Sequence, residues 1–150
     1  MDRLERERRW LQRVVGVAGL VPVLAGLYGV VFGAALTGDN GLSVSGDSHY
    51  RYLSGLLLGI GLMFWSGIPG IEARKGRFQI LTLVVVVGGL SRLAGLLFTG
   101  IPSLPMLVAL VMELVVTPLI CLWQMRIASR FPGSASLSPT PVPASSAVPL

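Results

Sequence analysis

Four ionisable side chains stand at the edges of, or inside, strongly apolar runs: His49, Arg51, Arg92 and Glu113. Arg92 is the most exposed to question, as the single charge in "VVVVGGLSRLAGLLF". A guanidinium in hydrocarbon costs about 3 kcal/mol or more, so such groups face inward and pair with a carboxylate or line a site. Glu113 is the natural partner. Two arginines against one glutamate leave an excess of positive charge, which suits an anion, either a lipid headgroup or a small solute. His49 with Glu113 could act as acid and base, but a lone histidine at a helix mouth is more often interfacial, and catalysis ranks last among the readings.

Other chemistries are excluded by counting. The only cysteine, Cys121, allows no intramolecular disulfide, CxxC pair or cysteine zinc cluster, and one histidine allows no multi-histidine metal site. No phosphate loop of the form G-x-x-x-x-G-K-[ST] occurs. No cofactor and no metal are expected. Nucleic acid is not expected as a partner despite the net charge of +5, because the basic residues flank apolar runs without interleaved aromatic side chains.

The elements that must position these groups are helices in lipid. Hydrophobic residues make up 53% of the 150 and charged residues 13%, more apolar surface than a soluble domain of this size can bury. A spanning helix needs about 20 apolar residues. Candidates run over about 14–36, 52–68, 78–98 and 106–125, separated by "TGDNGLSVSGDSH", "PGIEARKGR" and "TGIPSLP". The expected fold is therefore all-α, an integral membrane four-helix bundle occupying residues 14–128. The first run is too long for a signal peptide and lacks a clear cleavage site before Asp39, so it is expected to stay as an anchor.

Direction follows from the basic residues. Ten of the twelve, in the head, in the middle loop and at Arg126 and Arg130, fall on one side of a four-span chain. That side is the cytoplasm by the positive-inside rule, which puts both termini there and the protein in the inner membrane as a multi-pass chain. Trp10, Trp65 and Trp123 fall at the same ends of their spans, suited to the headgroup layer.

Residues 1–13, "DRLERERRWLQR" after Met1, read as a basic helical head against anionic lipid, with pairs Asp2–Arg6, Arg3–Glu7 and Glu5–Arg9 at four-residue spacing. Residues 129–150, rich in proline and serine, read as a disordered tail.

Depth joins the charges. Arg92 lies about 9 Å and Glu113 about 12 Å below the outer ends of their spans, at about 1.5 Å per residue. A short turn makes those spans antiparallel neighbours, so the two charges meet. Arg51 shares a face with Gly55 and Gly59, a G-x-x-x-G that suggests a packing face, and should point inward with His49 nearby. The four residues are thus expected to converge in the outer half of the bundle. Further small-residue stripes, Gly26, Gly29 and Gly33 on the first span and Gly88, Ser91 and Gly95 on the third, are expected at helix contacts. Pro22 and Pro118 are expected to disturb their helices.

The segments "SHYRYLSGLLLGIGLMFW", "GGLSRLAGLLFTGIP" and "ELVVTPLICLWQ" resemble the motifs of the bacterial domain of unknown function 4345 family, over roughly residues 14 to 128. Arg51, Arg92, Glu113 and Pro118 are the matching positions. The resemblance implies a small four-span membrane protein and brings no activity with it. A looser likeness is to DoxX-like membrane proteins, some linked to redox pathways, for which a solitary cysteine supplies no thiol pair. The sequence therefore favours a non-enzymatic inner-membrane protein whose polar cluster is structural or binds a lipid or small anion. An accessory subunit or small-molecule carrier, the latter as a homo-oligomer, is the second reading.

Overall fold

In a computed structural model of the chain, residues 3–36 and 43–131 are described, and no strand occurs among them. Four helices follow in order: α1 (Arg3–Phe32), α2 (Val44–Ser66), α3 (Lys75–Thr99) and α4 (Leu104–Ala128). Asp2 of the expected Asp2–Arg6 pair, the loop residue Asp39 and the proline-rich tail from 132 onward lie outside the described residues.

Each expected span is a helix, longer than its apolar run because polar residues continue the coil. The head joins α1 without a break, and α1 continues past Pro22 as one helix. By length and composition α1, α3 and α4 are apolar enough to cross a membrane. The second helix is not among these three. It has 23 residues, but Ser45, Asp47, Ser48, His49 and Arg51 fill its first turns. Large apolar side chains such as Leu24, Val87, Leu97 and Leu122 are more than half exposed on the outer faces.

The helices form two antiparallel hairpins. In the first, α1 packs on α2 from Gly19 against Trp65 to Gly33 against Asp47. A Cβ on Gly26 would stand 2.6 Å from the Leu58 backbone nitrogen and 2.8 Å from the Ser54 carbonyl oxygen, so here the two backbones touch. Gly29 faces Tyr50 and Ser54, Gly61 faces Val23, and Gly19 receives the Trp65 indole, whose Nε1 donates to the Gly16 carbonyl at 3.1 Å. The stripe of Gly26, Gly29 and Gly33 is thus the contact face expected of it. On α2 the contact face is different from the one expected. Gly55 touches only Val30, at 3.8 Å, and Gly59 meets nothing, whereas Ser54 and Gly61 lie in the interface.

In the second hairpin α3 approaches α4 at Gly89, where a Cβ would stand 2.9 Å from that of Glu113. Gly88 and Gly95 face open space, so the expected third stripe is displaced by one residue.

The hairpins join at one end. Leu11 and Val15 of α1, Ile71 of the connecting turn, Phe78 of α3 and Ile127 of α4 form a buried cluster, with Phe64 and Trp123 against it. The first half of α4, down to Val116, packs on α3 and not extensively on α1 or α2. Both ends of the described chain and the 67–74 connection therefore share the joined end, and the hairpins separate toward the other.

Candidate functional site

The site begins with a close approach and a broken helix. Gly89 lets α4 come near α3 one turn before Arg92. On the other side, the α-helical ladder of α4 widens into a π turn over Met112–Val116. Its cause is five residues beyond Glu113, at Pro118, which lacks an N–H and whose ring crowds the carbonyl of Leu114. The Thr117 N–H reaches back to Met112 instead of Glu113, and the Thr117 hydroxyl donates to the same Met112 carbonyl at 2.8 Å. The two residues able to donate to the Glu113 carbonyl are thus a threonine already engaged and a proline. The expected disturbance by Pro118 is this π turn, and it lies at the carboxylate, a common setting for function.

Arg92 grips Glu113 with two parallel bonds. Nε donates to Oε2 at 3.1 Å and Nη2 to Oε1 at 3.2 Å. The glutamate side chain is 16% exposed and the arginine 33%, so the guanidinium is the member that reaches the surface. Removing one partner leaves the other charge uncompensated in a place of limited solvent access, which destabilises the hairpin. The remaining nitrogen, Nη1, lies 2.8 Å from the Met106 thioether sulfur, a weak acceptor. One strong donor of the fork therefore has a poor partner.

Arg51 belongs to a different arrangement. Its Nε donates to Asp47 Oδ2 at 2.7 Å, and its Nη1 donates to the carbonyls of Val30 and Val31 at 2.8 and 2.9 Å. Those are carbonyls of the last turn of α1, which lack helical donors. The helix ends at Gly33, whose φ of 63° is the left-handed conformation that glycine adopts cheaply. The Asp47 carboxylate in turn accepts the Ala34 N–H at 3.4 Å. Arg51 with Asp47 is thus a clasp across the loop that joins α1 to α2. The Arg51 guanidinium hydrogen-bonded to Asp47 holds that carboxyl below its ordinary value of 3.8, and the Ala34 N–H adds to the effect. None of these bonds reaches Arg92 or Glu113. His49 stands apart from both groups, its ring 6.4 Å from that of Tyr52. Of the four expected residues, two are brought together, and the other two stand on the first turns of α2.

At the joined end lies a polar group that the sequence reading passed over. Gln124 is fully buried, and its Nε2 donates to the Ile71 carbonyl at 2.7 Å. Gln12 donates to the Ile68 carbonyl at 3.0 Å. Arg8 bridges Glu72 at 3.1 Å and Glu5 at 3.3 Å. The expected Arg3–Glu7 pair forms at 3.6 Å, whereas Glu5 takes Arg8, three residues on, instead of Arg9. Amides inside an otherwise apolar run are the signal that would have found Gln124, since a buried amide needs a backbone partner.

The described residues, all-helical with three membrane-length helices and a charge pair between two of them, define the class. Over residues 10–124 the chain matches the family model described as domain of unknown function (DUF4345), and it belongs to that family. No curated protein and no solved structure matches it at a significant level.

Proposed function

We propose that this chain is a multi-pass protein of the bacterial inner membrane, with four spans and both ends in the cytoplasm, and that it is not an enzyme. Its Arg92–Glu113 pair lies in the outer half, fixes the register of α3 on α4, and offers Arg92 to the anionic oxygen of a lipid headgroup or small solute. The membrane reading is supported by the exposed apolar faces and by the side on which ten of the twelve basic residues lie. The binding reading is carried by one observation: Arg92 Nη1 meets only the thioether of Met106. An anionic oxygen there would form a charge-assisted bond roughly twice as strong as a neutral one.

The test separates register from binding. Exchanging the two residues, Arg92→Glu with Glu113→Arg, should restore most of the folded yield that either single change loses. Separately, Arg92→Lys keeps the charge and loses Nη1. It should weaken binding of short-chain phosphatidylglycerol roughly tenfold in calorimetry. Inorganic phosphate in a parallel titration tells a headgroup from a free anion. Absence of binding of either probe to the wild-type chain would rule out the ligand reading and leave the pair structural.

A further inference from the structure

The face of α1 that carries its unpaired arginines runs directly into an apolar groove. Arg6, Arg9 and Arg13 recur on one side of the helix, and Gly16, Val17 and Leu20 continue that side. The described acids at this end are engaged elsewhere: Glu5 by Arg8, Glu7 by Arg3 and Arg130, and Glu72 by Arg8. Among the described residues Arg6, Arg9 and Arg13 have no acidic partner; Arg13 instead lies 5.4 Å from the ring centre of Trp10. The groove is shallow and widely open, lined by Arg13, Gly16, Val17 and Leu20 on one side and by Trp65, Ile68 and Pro69 on the other. Its floor is held by the Trp65 indole bond to the Gly16 carbonyl. Space at Gly16 is real, since a Cβ there would meet only Ile68, at 3.9 Å.

We infer that this is a binding site for one anionic phospholipid of the leaflet on the side of the chain's ends. Its phosphate sits between Arg9 and Arg13, one turn apart, and one acyl chain lies along Gly16, Val17 and Leu20 against Trp65. Charge complementarity selects the anionic headgroup, and the groove that continues from it supplies the apolar half of an amphiphile. A diffuse basic patch would attract the same lipids but would not hold a chain in register. An acidic helix would satisfy the arginines and leave the groove uncovered. The site is distinct from Arg92, which lies on the other hairpin toward the separated end. The inference rests on the membrane reading above.

Native mass spectrometry of the full chain released from nanodiscs of equal phosphatidylglycerol and phosphatidylcholine tests it. One phosphatidylglycerol should be retained in preference. Arg9→Ala with Arg13→Ala should lower that retention roughly tenfold or more. Val17→Trp, which fills the groove and leaves every charge in place, should lower it as well. Arg74→Ala with Arg77→Ala removes equal charge from the same end and should leave retention unchanged. An equal loss in that control, or no response to Val17→Trp, overturns the site in favour of a diffuse basic surface. A protein held through Arg9 and Arg13 with no lipid retained overturns it too. Alkaline carbonate extraction keeps the two readings apart. Release from membranes removes both, whereas a carbonate-resistant chain without lipid preference removes this inference alone.

Discussion

The two hairpins solve the same packing problem with opposite means. Between α1 and α2 the contact is backbone on backbone at Gly26 and glycine against the facing residues at Gly19, Gly29 and Gly61, and it is closed at the loop by the Arg51–Asp47 clasp. Between α3 and α4 there is one glycine approach, at Gly89, and then a charge pair beside a widened turn. The first hairpin gains its contact from shape, the term that matters where lipid competes equally for apolar surface. The second relies on an interaction whose strength depends on keeping water and competing ions away. A scaffold and the proposed site make different demands, and each hairpin suits one of them.

Substitutions that exchange these roles should have graded effects. The largest belongs to Gly26→Ala, because the added methyl meets backbone atoms that no rotamer change can move. It should cost at least about 3 kcal/mol and part α1 from α2, seen as lost thermal stability in detergent. Gly59→Ala, on the same hairpin but in open space, should be neutral or stabilising by about 0.5–1 kcal/mol. Equal losses at both positions would refute the shape argument. Next comes Gly89→Ala. Its methyl meets Glu113 Cβ at 2.9 Å and a movable Leu114 methyl at 2.7 Å, so it should cost about 1–3 kcal/mol. That change should also weaken headgroup binding at Arg92 while leaving the first hairpin intact by cysteine crosslinking.

The smallest effect is that of pH on the clasp. Asp47 has its carboxyl value lowered in the folded chain, so the stability it lends is fully present above the ordinary value of 3.8. It is lost as pH falls through the lowered value. A thermal scan from neutral to acidic pH should show this loss, and Asp47→Asn should remove the difference between the two pH ranges. A loss of the same size in both proteins would assign acid sensitivity to another group.

How far the sequence could be read depended on whether a feature was local or relational. Helix positions were legible because apolar runs of membrane length admit few other structures. The Arg92–Glu113 pair was legible because a short turn fixes two antiparallel helices and equal depth then fixes the partners. The contact face of α2 was not, since Gly55, Gly59 and Gly61 offer glycines in several directions and only the partner chooses among them. Arg51 was read as part of the site for the same reason. Its task as a cap depends on where α1 ends in space, although its four-residue spacing from Asp47 was visible. On α3, the adjacent Gly88 and Gly89 differ by about 100° of helix rotation, and periodicity alone selects poorly between neighbours.

The π turn of α4 means that this helix carries one residue more than a regular coil of the same length requires. Val115 sits in that turn. A chain that lacks it would have its upper α4 rotated by about 100° relative to the lower half, carrying the carboxylate off Arg92 unless the acid moves one position along the sequence. Within this chain, deletion of Val115 should therefore part Glu113 from Arg92, and moving the acid one position along should bring it back.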